Sequence, residues 1–127
     1  MGRLRTETLE RLEAYSDRVL DVVVVLESKK AHERILDQLT GSGTSAGANT
    51  WEANEAMSEA DFCKTLSTAI KELNETRFWL RLVVRRGWIT AKRLRPLEEE
   101  TVELIRMFGA MVHRTRQRTT KRPKRDS

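Results

Sequence analysis

The sequence predicts an all-α protein, one domain built as a four-helix bundle, and three observations carry that expectation. Apolar residues recur at alternating three- and four-residue steps along most of the chain. Only 2 prolines and 6 glycines interrupt it. A single β-branched run, Val22-Val23-Val24-Val25, has no second such run to pair with, so an isolated strand is rejected in favour of helix. The 127 residues, 39% apolar and 34% charged, suit one hydrophobic core with a wet face on every helix.

Helix one is expected over about 7–30. Leu12, Tyr15, Val19, Val22 and Leu26 form its seam, and the extra valines point to burial of more than one face. Helix two, about 31–56, crosses Gly41-Ser42-Gly43-Thr44-Ser45-Ala46-Gly47, which reads as a loop on composition alone. Leu36, Leu39, Gly43, Ala46, Thr50, Ala53 and Met57 nevertheless keep helical spacing through it. Three helical glycines cost roughly 1 kcal/mol each relative to alanine. That cost is recovered only if a neighbouring helix comes close, so a loop at 40–48 stays open as the other reading.

Helix three, about 58–87, starts with a capping sequence, Ser58-Glu59-Ala60-Asp61, and stops at Gly87. Phe62, Leu66, Ala69, Leu73, Leu80 and Val84 mark its inner face. Phe78, Trp79, Leu82 and Val83 widen the apolar surface beyond what one bundle needs, so they form the expected oligomer interface. Helix four, about 95–118, is expected to open at Pro96 with Glu98, Glu99 and Glu100 over its positive end. Its stripe is Leu97, Thr101, Leu104, Phe108 and Met111, with Val102, Ile105 and Val112 beside it. Residues 119–127 carry charge without apolar anchors, and a disordered basic tail is expected there.

The net charge of +5 hides an asymmetry. Residues 1–76 hold 9 Lys and Arg against 14 Asp and Glu, whereas residues 77–125 hold 15 against 4. Arg77, Arg81 and Arg85 step along one face of helix three, and Arg86, Lys92, Arg93 and Arg95 cluster at the following turn. Arg114, Arg116, Arg118, Lys121, Arg122, Lys124 and Arg125 extend the positive charge to the end. Such a surface binds RNA or DNA backbones through charge, with little sequence preference. The plainer reading is a solvated face paired with acids of the first half.

Enzyme readings fail on inventory, so the protein is expected to be non-enzymatic, without cofactor or metal. Neither His32 nor His113 is preceded at three residues by the Glu of a di-metal bundle motif. Two histidines and the lone Cys63 make a poor zinc set. Gly41-Ser42-Gly43-Thr44-Ser45-Ala46 fits a dinucleotide fingerprint in letters, but no buried strand precedes it. One cysteine, no apolar run of membrane-spanning length and no leader pattern give a cytoplasmic expectation with no membrane contact.

The stretch Gln38–Arg86 resembles the bacterial four-helix-bundle family that includes proteins encoded in ribosomal RNA intervening sequences and the accessory variability determinant (Avd) of diversity-generating retroelements. The resemblance is carried by Gly43-Thr44-Ser45-Ala46-Gly47-Ala48-Asn49, by Asp61-Phe62-Cys63-Lys64-Thr65-Leu66, and by Lys71-Glu72-Leu73-Asn74-Glu75-Thr76-Arg77-Phe78-Trp79-Leu80. Leu104–Met111 fits more loosely. The resemblance implies an up-and-down antiparallel bundle, a helical small-residue segment and a homopentameric barrel. For Avd-like members it implies binding of nucleic acid and a reverse transcriptase. It supplies no catalytic residue. The alternative is a protein-interaction scaffold with no nucleic-acid role.

Overall fold

The computed structural model describes residues 2–121 as four helices: α1 (Thr6–Ser28), α2 (Glu33–Asn54), α3 (Glu59–Arg85) and α4 (Ala91–Lys121). Turns this short force consecutive helices to run antiparallel. α1 packs on α2, α2 on α3 and α3 on α4, and α1 and α4 close the bundle with the slightest of the four contacts.

The predicted seams face the core. Leu12, Tyr15, Val19 and Leu26 of α1 meet Leu39, Ala46, Thr50 and Ala53 of α2, all buried. Leu66, Leu73 and Leu80 of α3 and Leu104 and Phe108 of α4 complete the interior. Val22 and Val23 are also buried, but Val24 is 63% exposed, so the valine run serves the seam and one flank only. Met57 lies beyond the end of α2 and is 92% exposed.

α2 runs unbroken through its glycines, and the geometry shows why. A Cβ on Gly43 would lie 2.5 Å from Val19 Cγ1, and one on Gly47 would lie 2.5 Å from Ser16 Oγ. α1 therefore approaches α2 backbone to side chain at these two positions. Ser16 Oγ donates to the Gly43 carbonyl at 2.8 Å and fixes the contact. A Cβ on Gly41 would meet nothing within 4 Å, so that glycine contributes no such contact.

Ser58 caps α3 by accepting from the Asp61 amide at 3.0 Å, and Gly87 stops the chain beyond it with φ +74°. α4 starts at Ala91, earlier than the proline indicates. Thr90 supplies the start: its Oγ1 accepts from the Arg93 amide at 3.3 Å, and its carbonyl accepts from the Leu94 amide. Pro96 thus sits inside the helix, where its missing N–H removes one backbone bond. Farther along, Val112 is buried and Met111 only half-buried, reversing their expected order. Thr119, Thr120 and Lys121, expected in the disordered tail, are helical, and Thr119 Oγ1 donates to Glu59 Oε2 at 2.7 Å. The remainder of that expected tail, 122–127, lies outside the described residues.

Candidate nucleic-acid interface

The antiparallel topology divides the predicted basic set between two ends of the bundle. Arg85, Arg86, Lys92, Arg93 and Arg95 lie at the end of the α3–α4 turn, all exposed. Arg114, Arg116, Arg118 and Lys121 lie at the other end, because nineteen helical steps, about 28 Å, separate Arg95 from Arg114. A single continuous surface over all of them does not form. Arg122, Lys124 and Arg125 lie outside the described residues.

At the α3–α4 end the fold recruits residues from the acidic half of the chain. The α1–α2 turn lies at the same end and brings exposed Lys29, Lys30, His32 and Arg34. Trp88 marks the meeting point: its ring centroid is 6.4 Å from that of His32, and the Arg86 guanidinium lies 5.6 Å from the Trp88 ring centre. Sequence reasoning passes over Lys29, Lys30, Arg34 and Trp88. The lysines and Arg34 sit in the half of the chain whose net charge is negative, and nothing local links residue 30 to residue 88.

The α3 stripe is exposed at Arg77, Arg81 and Arg85 as its spacing predicts. Its start is not purely basic. Arg77 and Arg95 line one α3–α4 groove together with Glu98, Glu99, Glu103 and Arg106, so carboxylates share that part of the surface. Arg77 and Arg81 also flank Phe78. Arg81 and Arg85 lead from there to the turn.

The expected interface set is split as well. Phe78 is 57% exposed and meets the half-buried Trp79 edge-on, ring centroids 5.0 Å apart. Leu82 is half-buried. Val83 is fully buried within one chain and belongs to the core, because at its position α3 turns the side chain inward. A second apolar face, absent from the sequence expectation, carries exposed Leu20, Val24 and Trp51 on α1 and α2. Leu20 and Trp51 share a groove with Glu13 and Asp17.

The polar interior is satisfied. Tyr15 Oη and Thr101 Oγ1 are 2.7 Å apart across the α1–α4 contact, and the Thr76 hydroxyl donates to Ser42 Oγ at 2.8 Å. Burial pushes the Tyr15 phenol up to about 12. Arg11 forks onto Glu100 through Nε at 2.8 Å and a terminal nitrogen at 2.6 Å, and reaches Glu103 at 3.0 Å. That hydrogen bonding holds the Glu100 carboxyl below its ordinary value, whereas burial and then Glu75 raise Glu72. Among the described residues, every buried side-chain N or O has a partner, and no three His, Cys, Asp or Glu converge as a metal site would require. No helix among them is long and apolar enough to cross a membrane.

The family model of the 23S rRNA-intervening sequence protein matches residues 7–110. The chain belongs to that family. The match takes in all of α2 and α3, and hence the turn surface around Trp88. A crystal structure of a protein of unknown function from the S23 ribosomal protein family of Bacteroides thetaiotaomicron is similar to this chain at 30% identity. The TM-score is 0.78, and the similarity covers 82% of this chain and 96% of that one. Among curated protein sequences none matches. The family match ends before Val112, so the arginines at the far end of α4 fall outside it.

Proposed function

We propose that this intervening-sequence family member is a non-catalytic helical bundle that binds nucleic acid through the end formed by its two turns. One observation carries the reading: Arg85, Arg86, Lys92 and Arg93 from the basic half lie at the same end of the bundle as Lys29, Lys30 and His32 from the acidic half, and Trp88 stands beside both Arg86 and His32. Guanidinium and ammonium groups neutralise phosphates, and the half-buried Trp88 indole with the Arg86 guanidinium over its ring offers planar groups on which an unpaired base can stack. The family's name associates it with ribosomal RNA, so single-stranded RNA is the first ligand to test.

The bundle also has faces suited to self-association. Arg77, Phe78, Trp79, Arg81 and Leu82 on α3 complement the Glu13, Asp17, Leu20 and Trp51 groove on α1 and α2 in charge and apolar character. Two different patches that fit each other generate a head-to-tail ring, and the pentamer implied by the resemblance is one such ring. Light scattering on Phe78→Asp against the parent protein tests this; an unchanged mass removes the α3 patch from the assembly.

Binding is measured by fluorescence anisotropy with a labelled single-stranded RNA at two salt concentrations. With about six phosphate contacts, affinity is expected to fall roughly 300-fold over a fourfold rise in salt. Trp88→Ala is expected to weaken binding roughly tenfold through lost stacking. No binding at low salt refutes the reading, and capture of a protein that survives nuclease treatment favours the scaffold alternative.

A further inference from the structure

The other end of the bundle holds a second and differently built cationic feature. A cavity of about 240 Å³ opens between the segment leading into α1 and the last turns of α4. Arg3, Arg5, Arg114 and Arg118 line it, together with the hydroxyl-bearing Thr8 and Thr115. No Asp or Glu lines it.

Three observations show that these groups are arranged around the cavity. The leading segment is tied down: the Arg3 amide donates to the Asn54 carbonyl at 3.1 Å, and the Leu4 amide donates to Asn54 Oδ1 at 2.8 Å. Arg3 Nε donates to the Ala56 carbonyl at 2.9 Å, which leaves its terminal nitrogens for another acceptor. Across the cavity, an Arg118 terminal nitrogen reaches Thr115 Oγ1 at 3.4 Å. No ion pair joins any of the four arginines to a carboxylate among the described residues, where the ion pairs are those of Arg11. Glu59 stands at the same end, accepts from Thr119 and does not line the cavity.

The start of α1 adds to the positive potential. Its N-cap is Arg5, whose side chain makes no capping bond, where Ser, Thr, Asp or Asn would ordinarily accept from the first amides. A cation at the positive end of a helix is disfavoured, and Glu7 is the acid in that first turn. Four arginines lining one cavity beside a helix start without a side-chain cap favour an anion there. Forked guanidinium donors match the tetrahedral oxygens of phosphate.

The geometry points to a phosphate-monoester site in the cavity of Arg3, Arg5, Arg114 and Arg118, distinct from the turn surface at the opposite end. The dianion would take charge-assisted hydrogen bonds from the guanidinium groups and a hydrogen bond from the Thr8 hydroxyl, while Thr115, whose hydroxyl donates to the Met111 carbonyl at 2.8 Å, holds Arg118 in place. Its ligand is a terminal phosphate, carried on the end of an RNA strand or on a free small molecule. Arg3, Arg5, Arg114 and Arg118 all lie outside the 7–110 stretch matched by the family model, whereas Thr8 lies within it.

The test uses the full chain with inorganic phosphate followed by arginine Nε–H NMR. Saturable shifts are expected at Arg5, Arg114 and Arg118, with Arg86 and Arg93 little changed. Absence of saturation, or equal response at both ends, overturns the proposal. Arg5→Gln combined with Arg114→Gln, both exposed and so neutral to folding, is expected to weaken phosphate binding at least tenfold. Asn54→Ala, which releases the leading segment, is expected to weaken it less while leaving all four charges in place. Retention of full affinity by the double variant refutes the site. A matched pair of RNA oligonucleotides, 5′-phosphorylated and 5′-hydroxyl, identifies the source. Tighter binding of the phosphorylated strand, lost in the double variant, assigns a strand end. Equal binding of the two strands beside saturable inorganic phosphate binding assigns a free phosphate compound. Failure of both strands to bind, with phosphate still saturating, removes the RNA reading of the turn surface and leaves this site standing.

Discussion

Gly43→Ala adds one methyl group to α2 where α1 lies against it. The new Cβ would stand 2.5, 2.9 and 3.1 Å from Val19 Cγ1, Cβ and Cγ2. Ordinary carbon contacts are about 3.5–4.0 Å, so relief requires a shift on the order of 1 Å. Val19 cannot supply it by rotation, because its own Cβ is inside the clash and a β-branched residue in a helix is held near one rotamer. It is fully buried, so no free space lies behind it. The helices must separate, stretching the 2.8 Å Ser16–Gly43 bond. Overpacking of this kind costs about 1–3 kcal/mol, and the better helix propensity of alanine offsets about 1 kcal/mol. Gly41→Ala is the control, two residues away in the same helix and with nothing within 4 Å. It is expected to stabilise by about 1 kcal/mol, so the two variants should separate by about 1–3 kcal/mol. Urea unfolding at one fixed protein concentration reads the difference, since association would otherwise shift the midpoint. Adding Val19→Ala to Gly43→Ala should recover part of the loss as a favourable coupling. Equal stability of the Gly41 and Gly43 variants would refute the close-approach argument.

Other expectations concern ionisation and the turns. Tyr15 is the single tyrosine, so phenolate absorbance reports it alone; the folded protein should titrate near 12, and the unfolded chain near 10. Because the folded value is raised, the phenol's contribution is complete below pH 10 and roughly 2–3 kcal/mol of stability is lost between pH 10 and 12. A titration of the folded protein at the ordinary value would show that the Tyr15–Thr101 contact opens. Glu100→Gln should cost about 1 kcal/mol at neutral pH by removing the charge under Arg11. Since the folded Glu100 value is lowered, that difference is present above the unfolded value of about 4.5 and should shrink as pH falls through the folded one; a pH-independent difference would contradict the pairing. Lys30 holds φ 57° in the α1–α2 turn, a conformation that glycine adopts freely. Lys30→Gly should therefore raise stability by about 0.5–1 kcal/mol, checked by thermal melting, unless the backbone there is unstrained.

Local patterning is sufficient for the helices themselves. Three- and four-residue spacing identifies the buried faces of Leu12, Tyr15, Val19, Leu26, Leu66, Leu73, Leu104 and Phe108, because a helix's inner face is a property of its own sequence. Ser58 and Gly87 are legible for the same reason, since caps act within a few residues. The start of α4 is misplaced by the sequence because Pro96 is a louder signal than Thr90, although the helix formers between them extend the element past the proline. Val24, Met57 and Val83 are misassigned because periodicity gives a direction without saying where the neighbour ends.

What only the tertiary structure decided is which distant residues share a place. The sequence presents one basic half and one acidic half, but antiparallel packing cuts across that division. It sets His32 beside Trp88 and Arg86, with Lys29 and Lys30 at the same end, and brings Arg3 and Arg5 to one cavity with Arg114 and Arg118. It also distinguishes glycines that look alike in the chain, making Gly43 and Gly47 points of helix contact and leaving Gly41 open. Helical identity is set by residues three and four apart; charge convergence and close approach depend on residues far apart in the chain, which the fold alone brings together.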